Sequence, residues 1–318
     1  MQKFSGITVK HGLPVAVAYI LVTSVVTFGN ALAQTSATAD ATSPSSQDAG
    51  ATALRQKHAA LARQLAQNPY RRPLVLESSE SADTVSGDAY AVLDSPFSTV
   101  SATFKSPNRW CEVLILHINT KYCRASADAS PSMLKVNIGK KTAQQLSDAF
   151  ALAFAFRLTA ASPDFMAAQL NANEGPLGTS NYRMELSATP LPEGKTFMHL
   201  RYSYGYGVAS RLAMQGYLAT LGSGKVGFSK TRLSEPSSYV GGVRGAVERN
   251  TMRYYLAIEA YLASLRSPAA QQLDARLQYW FDATEEYSQQ LHEVNRESYL
   301  GMKKDEYRRQ QTSSTPPV

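Results

Sequence analysis

The chain has 318 residues, with 32 basic and 25 acidic side chains, a formal charge of +7 and a hydrophobic fraction of 44%. That apolar content is enough to bury a sizeable core, while so many acids argue against a dedicated nucleic-acid binder. No HExxH, GxSxG or P-loop frame occurs, so no catalytic set, metal centre or cofactor site is expected.

The first 33 residues read as a secretory leader. Lys3 and Lys10 precede any acid, the first of which is Asp40, and an apolar run extends from Leu13 to Phe28. The run is shorter than the ~20 apolar residues of a spanning helix and is interrupted by Thr23 and Ser24, which favours a cleaved signal peptide over an anchor. Ala31-Leu32-Ala33 supplies the small residues that signal peptidase requires, placing the mature start at Gln34 and the product in the periplasm or outside the cell. Loss of Lys3 and Lys10 leaves a charge of about +5, a mild excess suited to weak contact with an anionic membrane surface.

Residues 34–53 are mostly Ala, Thr, Ser, Asp and Gln, the composition of a disordered linker. Leu54, His58, Leu61 and Leu65 then recur at helical spacing, predicting a short amphipathic helix over 54–68 that Asn68-Pro69 stops. Tyr70 to Leu76 has a strand pattern, Ser78 to Asp88 reads as a loop, and Thr99 to Phe104 is strand-like. Ser106-Pro107 marks a helix start, with Ser as cap and Pro in the first turn, and the helix carries Trp110, Val113, Leu114, Leu116 and His117.

Strand patterns dominate the next hundred residues. Met133 to Ile138 is one, and from Phe150 to Leu158 bulky side chains alternate with Ala151, Ala153, Ala155 and Arg157. Phe165 to Leu170 and Tyr182 to Ser187 continue the series. After a turn at Pro190 to Gly194, the returning strand places Thr196, Met198, Leu200, Tyr202, Tyr204 and Tyr206 on one face, and Phe197, His199, Arg201 and Ser203 on the other. Leu212 to Leu221 and Val226 to Thr231 read as a further hairpin. Following a loop at Pro236 to Gly242, a helix from Val243 to Leu265 carries Val247, Tyr254, Ile258, Tyr261 and Leu265 on one stripe, which must be buried against the sheet. The helical stretch 267–310 is too charged for a core and would pack by one face on the domain, an envelope protein partner or a membrane surface, and 311–318 is a disordered tail.

This order of strand, paired short helices, antiparallel strands and long covering helix resembles the helix-grip fold of the START and polyketide-cyclase (SRPBCC) superfamily. The resemblance covers about Tyr90 to Leu265 and rests on element order; it carries over no catalytic residue. It implies an α+β domain over 70–266 with an apolar ligand, such as a lipid or sterol, held between a curved sheet and the long helix. Another antiparallel α+β barrel has the same strand count.

Two cysteines, Cys111 and Cys123, in an oxidising compartment suggest a disulfide, with free thiols or a metal pair as rival readings. Twelve residues of unbroken helix would part their Cα atoms by ~18 Å, against the ~7 Å limit of a bridge, so the chain must turn back between them. A helical hairpin broken near Asn119 would do so.

Two patches could bind a ligand. His199 and Arg201 lie beside Tyr202, Tyr204 and Tyr206, where rings and hydroxyls suit an amphipathic molecule, though ordinary half-buried sheet surface has the same pattern. Arg244, Arg249 and Arg253 follow Gly241-Gly242 and precede Tyr254 on the long helix, and could meet an acidic headgroup or pair with Glu248. Three functions stay open: a periplasmic carrier of an apolar ligand, an envelope interaction protein with a filled core, or a cyclase- or hydrolase-like enzyme for which His199 is the one obvious member of a polar pair.

Overall fold

The computed structural model describes residues 46–126, 131–220, 224–231 and 238–312; the leader and its cleavage site, most of the linker and the tail from 313 lie outside them. Eight antiparallel strands form one curved sheet: β1 (Leu74–Glu80), β2 (Thr84–Leu93), β3 (Thr120–Ser126), β4 (Met133–Ile138), β5 (Phe150–Ala161), β6 (Met166–Glu174), β7 (Thr179–Leu191) and β8 (Lys195–Tyr206). Their spatial order is β1-β2-β8-β7-β6-β5-β4-β3. The chain makes one hairpin, crosses to the far edge through α2 (Phe97–Phe104) and α3 (Pro107–Leu114), and meanders back until β8 pairs with β2. A helix, α4 (Val208–Thr220), leads towards the long α5 (Gly242–Ser264), and α6 (Gln272–Glu285), α7 (Ser288–Leu291) and α8 (Arg296–Thr312) complete the described chain.

The sheet is covered on both faces. Inside, α5 lies across β1, β2 and β8, with Val247, Met252, Ile258 and Leu262 buried in the main core. Contact is close at Gly87 of β2, where a Cβ atom would sit 2.3 Å from Thr251 Oγ1; glycine lets strand and helix touch. The side of α5 away from the sheet is covered by α6 and α7, so both faces of the helix are buried, which a single apolar stripe does not foretell. Outside, α1 (Ser46–Ala66) docks Leu54, Leu61 and Leu65 on Val75 and Phe197. Each buried leucine contributes about 1.5–3 kcal/mol, enough to hold an otherwise polar helix in place.

Several sequence expectations are corrected. Ser78 to Asp88 is no loop but the turn and paired arms of the β1–β2 hairpin, with Glu80 opposite Val85. Thr99 to Phe104 is helical, because Phe97, Val100 and Phe104 share one buried helix face. Ser106 does stand at the N-cap of α3 with Pro107 in the first turn, but its hydroxyl makes no capping bond. Leu212 onward forms α4 rather than a hairpin arm, and 224–231 contributes only the isolated bridge Lys230–Tyr239; residues 221–223 lie outside the described set. The first helix begins at Ser46, inside the stretch read as linker.

The cysteines are joined, but not by a helical hairpin. After Leu114 the chain turns and enters β3 at Thr120, so Cys123 lies on a strand opposite α3, and the two Cα atoms are 5.1 Å apart. The C-terminal stretch is not purely surface either: Leu277, Trp280, Phe281 and Tyr299 are buried in the main core. Among the described residues no helix is long and apolar enough to cross a membrane.

Candidate functional site

Between the inner face of the sheet and α5 lies a cavity of about 410 Å³. Strand alternation builds one wall: β8 turns Tyr202 and Tyr204 inward, and the neighbouring β7 adds Tyr182. Helical spacing builds the opposite wall, since Ala246, Asn250 and Tyr254 recur every fourth residue along α5. His117, in the turn between α3 and β3, closes the deep end, and Phe150, Leu177 and Met214 stand at the mouth. Phe150 and Leu177 are 40% and 53% exposed, against 3% for His117.

The aromatic rings form a continuous surface. Tyr182 stacks on Tyr204 with centroids 5.2 Å apart, Tyr202 lies 5.8 Å from Tyr204 and 5.2 Å from Tyr254, and Tyr254 stacks on His117 at 4.6 Å. Thr179 Oγ1 and the Tyr182 hydroxyl share a 2.8 Å hydrogen bond, whereas the hydroxyls of Tyr202, Tyr204 and Tyr254 bond no side or main chain among the described residues. Burial pushes the Tyr182 phenol up to about 12, and raises Tyr202, Tyr204 and Tyr254 further, with the neighbouring tyrosines adding to the effect. Burial also drives the His117 imidazole well below its usual range, reinforced by Arg253, Lys303 and Lys141. The inner walls are therefore aromatic and uncharged at neutral pH, with hydroxyls available to a ligand's polar end.

Of the residues singled out in the sequence, the structure brings Tyr202, Tyr204 and Tyr254 together in this cavity. Tyr206 shares their face but lies beyond it, its hydroxyl donating to Ser81 O at 3.1 Å. His199 and Arg201 do not reach the cavity. Strand alternation turns them to the outer face, where both bind Asp88, His199 Nε2 at 2.8 Å and Arg201 Nη1 at 3.1 Å, and Tyr90 stacks on His199. The arginines of α5 are also engaged elsewhere: Arg244 Nε donates to Ser78 Oγ at 2.8 Å, Arg249 Nη1 to Val226 O at 3.1 Å, and Arg253 Nη2 to Glu293 Oε1 at 2.6 Å. Glu248 accepts the main-chain N–H groups of Phe228 and Ser229, which pins 228–229 against the helix. His117, Asn250 and Tyr182 were not singled out, and only Tyr182 carried a signal, its inward parity on an alternating strand.

Two layers of buried charge support the deep end. Lys303 Nζ donates to His117 O and Thr120 O, both at 2.7 Å, and Lys121 Nζ donates to Ile118 O and Thr142 O; the two share Glu306. Arg253, Lys141 and Lys225 meet at Glu293. Among the described residues no group of histidine, cysteine and carboxylate side chains could hold a metal ion.

The strand order, the paired helices bridging β2 and β3 and the helix lying across the sheet decide the architecture. It is a helix-grip fold. No known protein family matches the chain by sequence, and no curated protein matches it. Solved structures do: human StAR-related lipid transfer protein 5 is 8% identical, with 69% of this chain and 99% of that one aligned at a TM-score of 0.36. Truncated norcoclaurine synthase from Thalictrum flavum is 10% identical over 45% of this chain and 91% of its own, at 0.31. The di-domain ARO/CYC StfQ of the steffimycin biosynthetic pathway is 10% identical over 65% of this chain and 53% of its own, also at 0.31. Likeness at this level carries no argument; the helix-grip assignment rests on the topology described above.

Proposed function

We propose that the protein is exported and binds or carries an apolar small molecule, lipid-like in character, between its sheet and α5. The observation that carries this reading is the tyrosine-walled cavity, whose size falls within the ~300–1,000 Å³ of small-molecule sites. Its inner walls are aromatic, the charged Lys140 and Asp148 stand with Phe150 and Leu177 among its exposed lining residues, and four phenols offer hydrogen bonds without a cost in buried charge. The leader-like start, with Lys3 and Lys10 before the apolar run and Ala31-Leu32-Ala33 after it, supports export. The test is to purify the protein, extract it into organic solvent and examine the extract by mass spectrometry. A stoichiometric amphiphile is expected; an extract free of one, from protein that also fails to take up a fluorescent fatty-acid or sterol probe, would refute the proposal.

A further inference from the structure

The deep end of the cavity presents hydrogen-bond donors that the protein does not fully use. The main-chain N–H of Asn119 donates to His117 Nδ1 over 3.2 Å, so in the neutral ring the proton sits on Nε2. That Nε2–H is buried and completes no hydrogen bond of good geometry, Asn250 acting on the ring only as a weak partner that favours its protonation. A buried donor without a well-placed acceptor is a standing cost to the fold, one that an incoming acceptor atom would remove. Asn250 lines the same end of the cavity from α5. Arg253 Nη1 donates to its Oδ1 over 3.4 Å, an assignment that leaves the Nδ2 hydrogens as donors with no partner among the described residues.

The charges that act on the ring share one direction. Arg253, Lys303 and Lys141 all act on His117 in the direction that opposes its protonation, and they would act in the same direction on any cation placed beside the ring. This decides between two ligand classes. Four tyrosine faces taken alone would suit a quaternary ammonium group, but a cation would enter against those charges and meet donors rather than acceptors. An oxygen acceptor gains from both.

Building on the carrier reading above, we propose that the cavity selects amphiphiles whose polar end is an unprotonated oxygen acceptor, a carbonyl or carboxylate, which docks against His117 Nε2 and Asn250 Nδ2 with its apolar part towards Phe150 and Leu177. His117 and Asn250 are then the residues that set head-group specificity, and the tyrosine walls accept the chain.

Displacement of the neutral probe N-phenyl-1-naphthylamine tests this, with dodecanoate, methyl dodecanoate and dodecyltrimethylammonium as competitors of equal chain length below their micellar concentrations. The first two are expected to displace the probe at concentrations at least about tenfold lower than the third, and their own order tells whether the head is charged or neutral. His117→Phe keeps a ring against Tyr254 but removes the donor, and should narrow the preference by about tenfold (~1.4 kcal/mol). Asn250→Asp turns donor into acceptor at constant shape and should shift the preference towards the ammonium compound; it stands as the test if the Phe variant does not fold. Equal or better displacement by dodecyltrimethylammonium, or an unchanged preference in the folded variants, would overturn the inference while leaving the carrier reading intact. A probe that never binds overturns the carrier reading itself, and this inference with it.

Discussion

Replacing His117 by Phe should flatten the loss of stability on mild acidification. In the native protein burial, with Arg253, Lys303 and Lys141, holds this ring well below the usual imidazole range, so it stays neutral. In the unfolded chain it titrates near 6.5. As pH falls below that value the unfolded chain binds a proton that the native ring refuses, and the stability present above 6.5 is progressively lost. Between pH 7 and pH 5 the unfolded ring's protonation amounts to about 2 kcal/mol, at ~1.36 kcal/mol per unit. Glu293, held low by Arg253 and Lys141 against the opposing effect of its own burial, also loses stability in acid, but it does so in both proteins and cancels in the difference. The variant gives up the Asn119 N–H acceptor as well, a deficit of about 1 kcal/mol that does not change with pH. Urea unfolding followed by fluorescence of the buried Trp110 and Trp280 at pH 7, 6 and 5 measures both curves. The gap between wild type and variant should move by about 2 kcal/mol across the series, the wild type losing more. Parallel curves would refute the reasoning, since they would mean that His117 titrates normally in the native state.

Three further outcomes are expected. Protein isolated without reductant should begin at Gln34 and resist thiol alkylation at Cys111 and Cys123; labelling of both would contradict the bridge, whose Cα atoms lie 5.1 Å apart. Tyr204→Trp should obstruct the cavity and weaken binding of a fluorescent fatty-acid or sterol probe by at least ~1.4 kcal/mol, whereas Arg183→Ala, at an exposed position on β7, should leave it nearly unchanged; equal affinities would show that the probe binds elsewhere. Glu306→Ala strands Lys121 and Lys303 in the interior, a loss on the order of 3–5 kcal/mol, and should lower Tm by at least about 6 °C; a smaller shift would show that the two lysines are stable without their carboxylate.

Much of the sheet was legible because its strands alternate. Tyr202 and Tyr204 could be assigned to one face, and His199 and Arg201 to the other, from the period alone; what the period could not say was which face held the cavity and which lay on the side of α1. The long α5 was legible from its length and stripe. Thr99 to Phe104 misled because Thr, Val and Phe favour strands locally, while the fold buries Phe97, Val100 and Phe104 at helical spacing and overrides that preference. Arg244, Arg249 and Arg253 looked like an anion site at four- and five-residue spacing, but Val226 and Glu293, which bind two of them, come from loops far along the chain. His117 was invisible for the same reason. Its neutrality depends first on burial in the finished fold and then on charges, of which Arg253 on α5 and Lys303 on α8 lie more than a hundred residues away in sequence.

The pairing of β2 with β8 bears on how the protein reaches its folded state. Ala89 and Leu200 are partners across most of the domain, so the β1–β2 hairpin can form early but its second strand has no neighbour on that side until β8 is in place. Such non-local closure slows folding, because the loop entropy is lost before the contacts that reward it are made. During chain growth an unsatisfied strand edge is exposed next to apolar Ala89, Ala91 and Leu93, a template for pairing with another chain. A chain of this topology is therefore most exposed to edge-to-edge pairing until β8 has joined β2.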